Sequence, residues 1–294
     1  MGIFLALTAA LCWGVSDFVA RFASRRIGAY RALLVMQVIG LLALTIYLES
    51  TGGFLRSVAP GWQPWRLAVF AAVLNTVGSL ALYYAFQVGV MTIVAPISSS
   101  YPAITVTLAL LSGERIRALS AAGLGITLLG LILAATSFEF VADGTASVSN
   151  GVLGAHLSRG AGWSLVSTVA FGIMFWFLGF HVLPVMGAAV SVWVVRLSTS
   201  CVLLLSAAPA RQTLRLPQGG VWWLLVVMGL VDTTAYVANN AGLRIGPVSI
   251  VTVIASLYGA VTVLLSSIFL RERLRRSQWL GVALIFTGIV VVNL

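Results

Sequence analysis

Residues 114–130 read ERIRALSAAGLGITLLG, and residues 272–288 read ERLRRSQWLGVALIFTG. Glu114-Arg115-x-Arg117, Gly123 and Gly130 in the first stretch match Glu272-Arg273-x-Arg275, Gly281 and Gly288 in the second, always 158 residues apart. Moving outward, Ser99-x-Tyr101-x-Ala103-x-Thr105 matches Ser256-x-Tyr258-x-Ala260-x-Thr262 at an offset of 157. Asn75-Thr76 matches Asp232-Thr233, Gly89 matches Gly246, and Gly14 matches Gly172. A nearly constant offset over so many positions marks a tandem duplication.

The duplicated unit is apolar. Of 294 residues, 60% are hydrophobic and 8% charged, with a mean hydropathy of +1.07. A water-soluble surface needs roughly a quarter of its residues charged, so a soluble fold is excluded and the chain is read as an integral membrane protein. At about 20 apolar residues per helical span, the runs 2–21, 29–48, 66–88, 91–112 and 119–137 form one series. The runs 161–182, 185–207, 221–243, 247–270 and 277–293 form a second. Residues 138–160, rich in Ser, Gly, Asp and Asn, read as a linker. The expected fold is an all-α polytopic membrane protein of ten transmembrane helices, with repeats at 1–137 and 161–294. Five spans per repeat is an odd number, so equivalent helices cross in opposite directions. Inverted repeats around a central cavity are a feature of secondary transporters, although channels and membrane enzymes also contain repeats.

All 17 basic residues are arginine, and the net charge is +10. In a soluble chain this would suggest nucleic acid; here most arginines lie in short loops, where they set topology, and no nucleic-acid partner is expected. Eleven arginines fall on the face of the first, third, fifth, seventh and ninth loops and five on the other. The rule that the positive side stays inside then puts both termini outside a bacterial inner membrane. The first run begins at Gly2 without a basic leader and reads as a retained span. Cys12 and Cys201 lie in apolar runs and suggest no disulfide framework.

Ionisable groups at membrane depth are costly and are functional candidates. Asp232 and Arg196 fall near the middle of the eighth and seventh spans, as a fixed ion pair or as a coupling site. Asp17, near the end of the run 2–21, reads as a carboxylate snorkelling to the surface. Asp232, Tyr236, Asn239 and Asn240 form one polar stripe at i, i+4, i+7 and i+8, and Asn75, Ser79 and Tyr83 form its counterpart in the third span. Such stripes avoid lipid; they line a cavity or hydrogen-bond between helices. Ser99, Tyr101 and Tyr258 add polar groups to the fourth and ninth spans, where Pro96 and Pro102 are expected to kink the fourth. Trp62, Trp65, Trp222 and Trp223 read as interfacial anchors. Trp13 and Trp163 lie inside spans, with Phe171, Phe175 and Trp176 following, and either line an aromatic cavity or simply pack.

No phosphate loop of the Gly-x-x-x-x-Gly-Lys-Ser/Thr type, no His-Glu-x-x-His, no Gly-x-Ser-x-Gly and no Cys/His cluster occurs. We therefore expect no enzyme activity, no cofactor, no metal site and no ATP drive from this chain.

Trp13-Gly14 early in the first span, and Glu-Arg followed by spaced glycines in each half, resemble the EamA-type drug/metabolite transporter superfamily over essentially the whole chain. Within it, the chain looks closest to bacterial aromatic amino-acid exporters. The resemblance implies an inner-membrane exporter with a central cavity working by alternating access. The second half departs from the pattern at Phe171-Gly172, where the first has Trp13-Gly14. The leading expectation is export of small amphipathic metabolites, aromatic amino acids first, with the lipid bilayer and a small-molecule substrate as partners. A carrier of lipophilic cations, nucleotide sugars or purines is the alternative, ahead of a membrane-embedded lipid enzyme. Asp232 held by Arg196 would be a poor proton carrier, which leaves facilitated diffusion open beside proton coupling.

Overall fold

A computed structural model describes residues 1–54, 62–135 and 160–270, with 279–281, 283–284, 287–288 and 291. Among these the chain is helical and forms no strand. The first repeat contains α1 (Gly2–Ile27), α2 (Ala29–Ser50), α3 (Gln63–Val88), α4 (Met91–Ser98), α5 (Pro102–Leu111) and α6 (Ala118–Ala135). The second contains α7 (Ala161–Phe177), which passes through a π-helical turn (Leu178–Val182) into α8 (Leu183–Met186). It continues with α9 (Ala188–Ser206), α10 (Val221–Ile245), α11 (Val248–Ala255) and α12 (Tyr258–Phe269).

Among the described residues, eight helical stretches are long and apolar enough to cross a membrane, and Ala118–Gly130 in α6 is a shorter apolar helix. Parts of the expected tenth span are helical; the rest of it, and the expected linker up to residue 159, lie outside the described residues.

The fourth span is not a kinked helix but two helices. Pro102 has no N–H to continue the ladder and opens α5. Ser99 and Ser100 return their hydroxyls to the carbonyls of Pro96 and Ile97 at 3.1 and 2.6 Å. The ninth span breaks at the equivalent point, between α11 and α12, without a proline. There Ser256 Oγ donates to the carbonyl of Val253 at 2.7 Å. The two breaks touch: a Cβ on Gly259 would lie 2.2 Å from Ser99 Oγ.

The duplication is written into the packing. α1 lies against α10 and α12, and its mate α7 lies against α3 and α5. Thr105 Oγ1 donates to the carbonyl of Gly172 at 2.8 Å, and Thr262 Oγ1 to that of Gly14 at 3.2 Å. These are the same contact made twice, each half supplying one donor and one acceptor, as a two-fold relation requires. Both glycines are needed for the close approach. A Cβ on Gly14 would lie 2.4 Å from Val261 Cγ1, and one on Gly172 would lie 2.7 Å from Ile104 Cβ. Apolar helices in lipid gain little from burial itself, so van der Waals contact between small residues holds them together.

The motifs that revealed the repeat serve the fold. The carboxylate of Glu114 accepts the backbone N–H of Ser249 at 3.1 Å, in the first turn of α11 where N–H groups lack helical partners. A Cβ on Gly288 would meet Thr127 Oγ1 at 2.2 Å and the carbonyl of Gly123 at 2.7 Å, so the repeated glycines mark where two helices touch.

Candidate functional site

A cavity lies between the two repeats. α1 supplies Trp13 and Asp17, one turn apart, and α2 supplies Met36 and Gln37. From α3 come Asn75, Ser79, Leu82 and Tyr83. The remaining wall consists of Tyr101, Phe171, Phe175, Val192, Val195, Arg196, Asp232, Tyr236 and Tyr258.

Trp13 is the hub of the aromatic part. Its ring centroid lies 5.6 Å from Phe175, 5.9 Å from Tyr236 and 6.1 Å from Tyr258, the tyrosines meeting it edge-on. Tyr101 and Tyr258, equivalent in the two repeats, stack with centroids 6.3 Å apart and planes 20° apart. Each hydroxyl reaches the other repeat: Tyr101 toward the carbonyl of Thr252, Tyr258 toward Ser98 Oγ, both at 3.4 Å. Each sits at the broken-helix junction of its repeat, so the breaks aim both rings at the cavity.

The polar part is built on facing helices. Arg196 Nη2 on α9 forms an ion pair with Asp232 Oδ2 on α10. Arg196 Nη1 donates to Gln37 Oε1 at 2.7 Å and lies 2.8 Å from Met36 Sδ. Its guanidinium stands 6.0 Å from the Tyr236 ring. Gly40 makes room for it, since a Cβ there would lie 3.0 Å from Arg196 Nε. Asn75 donates to Thr199 Oγ1 at 3.2 Å, and the Tyr236 hydroxyl lies 3.3 Å from Asn75 Oδ1.

Of the residues singled out from sequence, Trp13, Asn75, Ser79, Tyr83, Tyr101, Tyr236, Tyr258, Asp232 and Arg196 meet at the cavity. Trp176, whose ring N–H donates to Ser112 Oγ at 2.8 Å, does not line it, and neither do four others. Trp163 is 48% exposed on the outside of the bundle, where it packs edge-on against Tyr84 at 5.1 Å. Ser99 is buried in the helix break against Gly259. Asn240 donates to Ser191 Oγ at 3.1 Å, a link between α10 and α9. The Asn239 amide is buried without a hydrogen-bond partner among the described residues.

Asp17 is a correction in the other direction. It is 5% exposed and lines the cavity, because α1 runs on to Ile27 and leaves the carboxylate well inside the helix rather than at its end. Gln37 joins the cavity without having been singled out by the sequence pattern. Its one signal is a single amide in an otherwise apolar span, which is costly in lipid unless it faces inward.

The family model of the EamA-like transporter family matches residues 1–136 and again 158–294. An uncharacterized protein of Methanocaldococcus jannaschii is 32% identical over 136 residues, 46% of this chain and 96% of the relative. A solved structure titled "Crystal structure of protein" aligns over 100% of this chain and 98% of its own, with a TM-score of 0.74 at 19% identity, which is a likeness of fold. Two matches that together span most of the sequence place the chain in the EamA-like transporter family, as a multi-pass membrane transporter of small solutes.

Proposed function

We propose that this chain exports small amphipathic metabolites bearing a ring, aromatic amino acids first, by alternating access across the bacterial inner membrane. The carrier consists of two inverted five-helix repeats, 1–137 and 161–294, joined by the linker 138–160, ten helices in all, with both termini outside. A relative that matches almost end to end with under half of this chain supports one repeat as a unit. The reciprocal contacts Thr105–Gly172 and Thr262–Gly14 support two halves related by a two-fold axis.

The observation that carries the substrate class is the cavity wall. Trp13, Tyr101, Phe175, Tyr236 and Tyr258 present ring faces and edges to one space, beside Asn75 and Ser79 and a buried charge pair. A ring-bearing solute gains offset or edge contacts there, and its polar end finds partners it would lack in lipid. Binding at such a site between two rocking halves is sufficient for transport; no reacting group is required, and we assign this chain no catalytic role.

A second reading, a carrier of lipophilic aromatic cations, is favoured by one observation. Asp17 and Asp232 both line the cavity, against the single guanidinium of Arg196.

The test is uptake of labelled tryptophan and phenylalanine into proteoliposomes, with and without a pH gradient, competed by sugars, nucleosides and organic cations. Saturable flux competed by aromatic amino acids supports the first reading. Flux competed only by aromatic cations moves the assignment to the second. Competition by nucleosides or sugars alone overturns both.

A further inference from the structure

The cavity holds one acid that the described residues leave unanswered. Arg196 is committed to Asp232, and Gln37 occupies its other terminal nitrogen. Asp17 has no hydrogen-bond or ion-pair partner among the described residues, although it is only 5% exposed. An isolated carboxylate removed from water is costly, and two things relieve that cost, a proton taken up by the acid or a cation placed against it. The other titratable and charged groups around the cavity are Tyr83, Tyr101, Tyr236, Tyr258, Asp232 and the already paired Arg196. None supplies a free positive charge.

Trp13 stands one turn before Asp17 on the same face of α1, and its ring meets Tyr258 and Tyr236 edge-on. A carboxylate beside electron-rich aromatic faces is the arrangement that holds an organic ammonium ion, by direct charge and by cation–π attraction together. The geometry points to Asp17 as the ammonium-binding residue of the cavity, with Trp13 and Tyr258 against the rest of the cation. This rests on the cavity being the solute site and specifies the head group it takes. The solute presents an amine, alone or in a zwitterion, and a ring carboxylate without an amine gains no charge contact from this acid. Arg196 is a positioning residue for Asp232 rather than the anchor of a solute carboxylate.

The experiment compares three indole ligands that share a ring and differ in the head: tryptamine, tryptophol and indole-3-propionate. Binding to full-length wild type, Asp17→Asn and Asp17→Glu is measured in lipid nanodiscs. Wild type should bind tryptamine roughly tenfold or more tighter than tryptophol and reject the propionate, and Asp17→Asn should lose that preference while keeping tryptophol. Asp17→Glu should retain it in part. Preference for tryptamine that survives in Asp17→Asn, or propionate as the tightest ligand of wild type, overturns the assignment.

If no indole binds wild type, the ring-solute reading fails by itself, and Asp17 is then decided by carbodiimide labelling of wild type read by mass spectrometry. The same arm applies if Asp17→Asn does not fold. Protection of Asp17 by tetramethylammonium but not by sodium supports an ammonium site; equal labelling with both contradicts it.

Discussion

Thr105 on α5 donates its hydroxyl hydrogen bond to the carbonyl of Gly172 on α7 at 2.8 Å, and the repeat returns the contact through Thr262 and Gly14. The two halves are therefore locked by the same small-residue crossing used twice, with the cavity between them. A Cβ at Gly172 has no free space, because Ile104 Cβ would be 2.7 Å away. Gly172→Ala and Gly14→Ala should each destabilise the fold by roughly 1–3 kcal/mol, the usual range for overpacking. Gly125→Ala, at a glycine with nothing within 4 Å, should not. Thermal unfolding in detergent of the three variants checks this.

The ion pair between Arg196 and Asp232 gives an asymmetric prediction. Removing one partner of a buried pair strands the other, a loss of about 3–5 kcal/mol, whereas replacing both by apolar residues of similar size is near neutral. Arg196→Met should therefore unfold well below wild type, and Arg196→Met combined with Asp232→Leu should recover most of the loss. A double variant no more stable than the single would show that the two side chains are not coupled.

Glu114 accepts the first-turn N–H of Ser249, so Glu114→Ala should cost about 1 kcal/mol, as loss of a helix cap does. Tryptophan binding should be unchanged, since Glu114 is not among the residues around the cavity. Stability and binding measured on the same preparation separate the two.

Trp13 and Trp163 separate the cavity from the outer surface. Trp13→Ala should weaken binding of an aromatic solute roughly tenfold or more, the scale of one lost ring contact plus its buried area. Trp163→Ala, at a ring facing outward, should change it by less than about twofold. Isothermal titration with tryptophan distinguishes them.

The repeat, the family resemblance and most of the cavity are legible in the sequence because duplication leaves a numerical offset that survives divergence. Tyr101 and Tyr258 pair on sequence alone, since they share the position after Ser-x in each half. Helix rotation is not legible in the same way. On the helix α10, Asp232 and Tyr236 reach the cavity whereas Asn240 turns to Ser191, although all three belong to one apparent stripe. Trp163 sits beside an apolar surface whichever way its helix turns, so periodicity carries no information about its direction. The place of Asp17 is hidden because the apolar run ends near residue 21, whereas the helix continues to Ile27 through Arg25, which reaches other backbone groups. Arg25 Nη2, for example, donates to the carbonyl of Gly89 at 2.8 Å. The second helix break, at Ser256 and Leu257, carries no proline and is signalled only by its proline-bearing mate.

On the proposed route, the transported solute passes through the space beside Trp13 and Asp17. The most direct test uses Ser79→Cys, on the cavity wall, in a background where the half-buried Cys12 and exposed Cys201 are replaced by alanine. The variant is reacted to completion with a bulky maleimide, and flux of labelled tryptophan into proteoliposomes is compared before and after. Flux should be lost on modification, and saturating tryptophan should slow the modification. Undiminished flux through fully modified protein would contradict this route.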